Sequence, residues 1–397
     1  MNTLNDYRKI VGDKKINEII NEAKPLKGKY VTHINSTFYG GGVAEILSSL
    51  VFLMNDVGIK AEWRLLRGDK NFFNITKSFH NGLQGSDIKL TEKNKKIYEK
   101  INYLNSLFIH LEKSDIVIAH DVQVLPLIKF FKKTQPWIWR CHVDISNQNK
   151  KLWKYLTGFI NLYDNIIISD KNYIKNDINT EQKIIMPSID PLSDKNKNLS
   201  LKKAKAILSD FNIKFNKPII SQISRYDIWK DPVGVVDTFL LIKKKIDCQL
   251  ILLGNTSIDD PEGDKIYKQV IKKTKNIKDC IVLLNVENND IVVNALQRMS
   301  DVVLQKSLKE GFALTVSEAL WKGTPVVGSN VGGIPNQIIN GKNGYLVNSI
   351  KECAEKTIKI LQDNNLRKKM GEYAYEYVKE NFLITRHLLD YIKIINF

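Results

Sequence analysis

Short apolar runs alternate with amphipathic stretches along almost the whole chain. In the first half the runs are KYVTHINS (29–36), KAEWRLLRG (60–68), DIVIAHD (115–121), PWIWRCHVD (136–144), NIIISD (165–170) and KIIMPS (183–188). Runs this short, rich in Val, Ile and Trp, predict buried strands. Between them GVAEILSSLVFLMNDVG (42–58) repeats Ile46, Leu47, Leu50 and Leu53 at helical spacing. DPLSDKNKNLSLKKAKAILSDF (190–211) is polar and reads as a linker entering a helix. A second series follows: KPIISQISRYD, QLILLG, CIVLLN, DVVLQKS, TPVVGSN and GYLVN. Strand–helix alternation of this kind predicts parallel α/β units. We therefore expect two doubly wound domains, 1–190 and 191–375, with a helical tail (376–397) packing back on the first. In such sheets ligands bind beyond the carboxyl ends of the strands, so functional residues should follow strands directly.

Composition narrows the class. The 397 residues are 43% hydrophobic and 26% charged, which suits two ordinary cores. No stretch approaches the roughly 18 apolar residues of a membrane span, and the polar amino terminus lacks the apolar region of a secretory signal. Cys141, Cys248, Cys280 and Cys353 are scattered without CxxC spacing, which fits reduced thiols in the cytoplasm. Net charge is +17, from 60 basic and 43 acidic residues. The lysines are spread everywhere and travel with Asn and Ile, a compositional bias. Aromatic-basic recognition motifs are absent, so nucleic acid is not an expected partner.

Several stretches carry possible chemistry. NSTFYGGGVAEIL places Gly40, Gly41 and Gly42 after the first strand and at a helix start, where backbone N–H groups can approach a phosphate or sugar. A structural turn is the competing reading, and neither GxGxxG nor the GxxxxGK[ST] loop is matched. SRYDIWK puts Arg225 and Lys230 after the first strand of the second half. Two cations there suit a diphosphate leaving group; in a lysine-rich chain they are otherwise surface charge. His120 with Asp121, and His142 with Asp144, end consecutive strands. A lone strand-end histidine is usually structural, but two in a row point to a polar site. His80 and Asn81 lie in a segment too polar for core.

EGFALTVSE holds Glu310 and Glu318 eight residues apart. Eight helical residues rise about 12 Å, beyond the roughly 5–5.5 Å of a retaining glycoside hydrolase pair. The two carboxylates therefore suit different ends of one long ligand, Glu310 near a helix mouth and Glu318 able to hold a diol such as a ribose. A nucleotide-sugar has that shape. EGFALTVSE resembles the E-x7-E motif of retaining glycosyltransferases of family 4, and the Gly40–Gly42 loop, His142, Arg225 and Lys230 match that pattern in order. HINSTFYGGGVAEIL, GDKNFFNITKSFHNGLQG, RCHVDISN, PSIDPLSDKN and LQKSLKEGFALTVSEALWKGTPVVG further resemble the trehalose-synthesising branch, across nearly the whole chain.

That resemblance implies the GT-B fold, two Rossmann-like doubly wound domains facing each other across a cleft, with the acceptor side in the first and the nucleotide-sugar side in the second. It implies transfer of glucose from a nucleoside diphosphate glucose (UDP- or ADP-glucose) to glucose, giving α,α-trehalose with retained configuration. Arg225 and Lys230 would neutralise the diphosphate. Glu310, with the backbone of Gly311, Phe312, Ala313 and Leu314, would hold the donor sugar, and Glu318 the ribose. His142 would contact the donor sugar, and Gly41 and Gly42 the phosphate or acceptor. His80, Asn81 and Asp144 are acceptor-side candidates. No D-x-D metal motif occurs, so no metal is expected to be required, with magnesium at most a stimulant through the free nucleotide. A homodimer is expected, without stable membrane insertion. A lipid or polysaccharide acceptor at a membrane surface, and a trehalose phosphorylase-type reaction, remain alternatives.

Overall fold

The computed structural model describes residues 2–39, 41–255 and 261–396. The chain divides into two compact units, Met1–Ser188 with Ile384–Phe397, and Ile189–Leu383. The first carries six parallel strands, β1 (Tyr30–Asn35), β2 (Lys60–Leu65), β3 (Ile116–His120), β4 (Trp137–Arg140), β5 (Asn165–Ile168) and β6 (Glu181–Ile184), in the order β2-β1-β3-β4-β5-β6. Every residue of β3, β4 and β5 is buried, as expected of a parallel sheet covered on both faces. Trp137 and Trp139 lie in its core with Phe72, Phe79 and Tyr98. The helix Gly42–Asp56 buries Ala44, Ile46, Leu47, Leu50, Leu53 and Met54, the apolar stripe read from the sequence.

β6 lies earlier than the KIIMPS run. Ile185 still donates its N–H to Ile168, but Pro187 has no N–H to continue a ladder. The carbonyls of Met186 and Pro187 instead accept from the Arg386 guanidinium at 2.8 and 3.0 Å. Arg386 belongs to the helix Ile384–Ile395, which packs on the helices Arg8–Ala23 and Gly42–Asp56. The returning segment thus starts at Ile384 rather than at 376. The preceding helix, Asn364–Asn381, belongs to the second unit, where Tyr375 stacks on Trp321 and the Tyr377 hydroxyl donates to the Asn336 carbonyl. Helical periodicity alone does not reveal which sheet a helix covers.

The second unit has β7 (Ile219–Ile223), β8 (Gln249–Gly254), β9 (Cys280–Leu284), β10 (Val302–Gln305), β11 (Val326–Ser329) and β12 (Gly344–Val347), in the order β12-β11-β10-β7-β8-β9. All pairs are parallel. The winding reverses between β7 and β10, and between β1 and β3 in the first unit. Loops leaving such a pair diverge and open a crevice at the carboxyl ends. Among the described residues no helix is long and apolar enough to cross a membrane.

Candidate functional site

In the second unit the loops after β7 and β10 are tied together at the reversal point. Leu308 donates its backbone N–H to the Trp229 carbonyl at 2.7 Å, and Lys306 pairs with Asp231. Asp231 adopts a left-handed conformation (φ 46°) and caps the helix Pro232–Lys243 by accepting from the Gly234 N–H at 3.0 Å. From β7 itself, the Gln222 amide donates to the Lys230 carbonyl at 2.8 Å. These contacts bring the Lys230 Nζ to 2.5 Å from Glu310 Oε2, both side chains largely buried. The sequence reading put these two residues at neighbouring parts of one ligand; the fold places them in direct contact.

Glu310 Oε2 also accepts from the Ser307 hydroxyl at 3.1 Å and the Gln305 amide at 3.3 Å. Three donors thus converge on one oxygen of the carboxylate. Ala313 follows at φ 69° and caps the helix Leu314–Trp321 without a side-chain hydrogen bond. First-turn N–H groups of such a helix suit electron-rich ligand atoms. Phe312 is buried, and its carbonyl accepts from the Gln337 amide, which is itself gripped by the Ser317 hydroxyl at 2.6 Å.

The other candidates of this unit stand apart. Arg225 is exposed, with its guanidinium 3.6 Å from the Asp227 carboxylate. Glu318 is buried in the helix, accepting from Gln297 at 3.3 Å with the Lys195 ammonium at 4.0 Å. Next to it Lys322 donates to Asn196 at 2.8 Å and to the Glu318 carbonyl. Burial lowers the Lys322 ammonium to about 7.

In the first unit Gly41 caps the helix Gly42–Asp56 at φ 92°, a conformation that suits glycine. Gly40 lies outside the described residues. His120 ends β3, and His142 follows β4. The Asp121 carboxylate accepts the His142 backbone N–H at 2.8 Å, and burial lifts its carboxyl to about 6. His80 and Asn81 occupy the last turn of the helix Lys70–Leu83, half-buried. Asp144 is engaged by its own turn, accepting from the Ser146 N–H at 2.8 Å and hydroxyl at 2.6 Å. Among the described residues no group of three His, Cys, Asp or Glu side chains could hold a metal ion.

Sequence reasoning missed His33, which is fully buried on β1 and bonded to His120. It also missed Gln305, Ser307 and Gln337, the polar residues that orient the Glu310 loop. For His33 and Gln305, a polar position in an otherwise apolar strand was the available signal. The buried histidines make a prediction. Burial holds His33 at about 3, and His120, His142 and His387 well below the ordinary 6.5. Above pH 6.5 both folded and unfolded chains keep them neutral, and they contribute nothing to pH dependence. Below 6.5 the unfolded chain takes up protons that the fold refuses, so stability falls by about 1.4 kcal/mol per pH unit per histidine. Asp121 acts the opposite way below about 6 and offsets one histidine. Thermal melts should therefore show a clearly lower midpoint at pH 5 than at pH 7. An unchanged midpoint would contradict this burial.

Comparison with known proteins agrees with this architecture. The family description "Trehalose synthase, N-terminal domain" matches residues 33–175, and "Glycosyl transferases group 1" matches residues 204–377. A trehalose synthase of Thermococcus litoralis is 47% identical over 397 residues, covering 99% of this chain and 96% of that protein. A trehalose phosphorylase of Pleurotus pulmonarius is 29% identical over 95% of this chain but only 58% of its own length. Among solved structures, an α,α-trehalose-phosphate synthase (UDP-forming) from Burkholderia xenovorans, in complex with glucose-6-phosphate, superposes with a TM-score of 0.72. It shares 14% identity, over 92% of this chain and 99% of that one; the likeness is that of the GT-B fold. With near-full-length identity of this order and both halves matched in sequence, the chain belongs to the trehalose synthase family of glycosyltransferases.

Proposed function

We propose that this enzyme transfers glucose from a nucleoside diphosphate glucose to the anomeric hydroxyl of free glucose, with retention, giving α,α-trehalose and the nucleoside diphosphate. The observation that carries the reading is the Lys230–Glu310 contact at the reversal between β7 and β10, in a chain of this family. An ammonium has three donors, so Lys230 can hold Glu310 and a phosphate oxygen together. Glu310, its Oε2 saturated, offers Oε1 to sugar hydroxyls, assisted by the backbone from Gly311 to Leu314. Arg225, exposed and on the same loop, swings to the diphosphate, and Glu318 takes the ribose. His142 meets the donor sugar, Gly41 and Gly42 approach the phosphate or acceptor, and His80, Asn81 and Asp144 face the acceptor.

The bond from C1 to the diphosphate breaks, the bond from C1 to the acceptor oxygen forms on the same face, and the acceptor proton passes to the departing phosphate. The protein then works by positioning and by stabilising leaving-group charge. In this reading no metal is required, with magnesium entering only through the free nucleotide, and the enzyme acts in the cytoplasm as a homodimer.

The phosphorylase relative supports a second reading, in which inorganic phosphate replaces the nucleotide. The two are separated by supplying trehalose with UDP or ADP in phosphate-free buffer, and separately with phosphate alone. The transferase reading expects glucose and nucleotide-glucose only in the first mixture. Release of glucose 1-phosphate in the second would replace it with the phosphorylase reading.

A further inference from the structure

Three histidines form a continuous hydrogen-bonded row across the first sheet. In the register His33 on β1 lies opposite Ile118, two residues before His120, and His120 lies opposite Arg140, two before His142. Steps of two keep side chains on one face of a sheet, so the rings run diagonally across β1, β3 and past the end of β4. His33 Nδ1 lies 3.0 Å from His120 Nε2, and His120 Nδ1 lies 3.0 Å from His142 Nε2. Adjacent rings are stacked with centroids 5.3 Å apart. The rings bond to one another end to end rather than converging on a point, so the row is not a metal site. Only the last ring is not fully buried: His33 and His120 are 0% and 1% exposed, and His142 is half-buried.

A neutral imidazole has one N–H and one bare nitrogen. Each bond in this row joins an Nδ1 to an Nε2, so the three rings must share one polarity. Either every Nδ1 is protonated and donates outward, or every Nε2 is protonated and donates inward. The inner end decides between them. His33 Nε2 is buried with no hydrogen-bond partner. Among backbone groups a buried N–H without an acceptor is the rarer defect; carried over to the ring, that preference favours a bare Nε2 on His33. Nδ1 of His33 then donates to His120, and Nδ1 of His120 donates to His142. The outer ring is left with a protonated Nδ1.

We propose that His33 and His120 are positioning residues that fix the tautomer of His142, so that His142 offers an Nδ1–H donor at the carboxyl end of the first sheet, where it hydrogen-bonds a hydroxyl oxygen of the sugar. The assignment of His142 to a sugar rests on the proposed function; the tautomer relay itself does not. Burial, which keeps all three rings neutral near pH 7, supports the relay, since a charged ring would break the shared polarity.

The test is a long-range proton–nitrogen NMR spectrum of the full chain labelled with nitrogen-15 histidine, at pH 7. The relay expects His33, His120 and His142 all protonated on Nδ1 and not on Nε2. Opposite protonation of His33 and His142 would overturn it. In His120→Ala, water reaches His142 Nε2, and the ring should move toward the Nε2–H form that histidine favours in water. Added imidazole, filling the space of the lost ring, should restore the Nδ1–H form. Persistence of the Nδ1–H form in His120→Ala without imidazole would overturn the relay. If the variant does not fold, the spectrum of the unsubstituted protein decides alone. Transferase assays on the same samples should show kcat falling about tenfold or more with the donor KM within about twofold. A kcat within twofold of the unsubstituted protein, alongside the expected spectra, would remove the sugar contact while leaving the relay.

Discussion

Lys230→Ala is expected to lower kcat for glucosyl transfer by about 10²–10³ while the protein stays folded. Lys230 is the largely buried cation of the loop after β7, held by the Gln222 amide on its carbonyl and by Glu310 on its Nζ. Its removal deletes the charge that would meet the diphosphate as the leaving oxygen becomes negative. It also leaves the Glu310 carboxylate with only the neutral donors Ser307 and Gln305. That second effect costs stability of about 1–3 kcal/mol, which thermal melts report separately from turnover. Glu310→Ala should produce a loss of turnover of similar size by a different route, since the donor sugar loses an acceptor and Lys230 loses its anchor. Saturating-donor kinetics on both variants are the check. Near-normal turnover in the two together would sink the assignment of this loop pair.

The other large effect is expected from a glycine, which has no side chain to offer a ligand. Gly332 has φ 52°, and a Cβ built there would lie 1.7 Å from the Glu310 carbonyl oxygen. The neighbouring Gly333 would clash with the Gly311 carbonyl at 2.7 Å, and its own N–H donates to that carbonyl at 3.1 Å. The glycine pair after β11 thus lets a second backbone lie directly on the Glu310 loop. In Gly332→Ala the left-handed conformation alone costs about 1–2 kcal/mol. The clash is with backbone, so the Glu310 loop must move. A displacement of about an ångström at such a site can cost 100-fold in rate. We expect kcat to fall at least that far with a melting midpoint only several degrees lower. Gly341→Ala is the control, because its Cβ would meet nothing within 4 Å at a similar positive φ of 83°. Equal activity of the two alanine variants would contradict the packing argument.

The two sheets were legible because parallel strands buried on both faces read as unbroken apolar runs. Eleven of the twelve runs coincide with strands, and the exception, β6, is an edge strand whose apolar extension serves the returning helix instead. The loops after β7 and β10 stood out as candidate ground because polar and charged residues follow apolar strands there. Their pairing was not, because Lys230 and Glu310 are 80 residues apart and nothing local signals the contact. His33 was invisible for a related reason. One polar residue inside a strand looks like a satisfied core side chain until the registers of β1 with β3 and β3 with β4 set it in a row with His120 and His142. The glycine pair Gly332–Gly333 serves a backbone approach that only the fold displays.

The most direct test of the central claim is product analysis by NMR after the enzyme is mixed with glucose and, in separate tubes, UDP-glucose, ADP-glucose and GDP-glucose. The account predicts a symmetric disaccharide with a single anomeric environment, α at both carbons, formed together with one equivalent of nucleoside diphosphate from at least one donor. An unsymmetric disaccharide, or donor hydrolysis with no disaccharide in any tube, would contradict it.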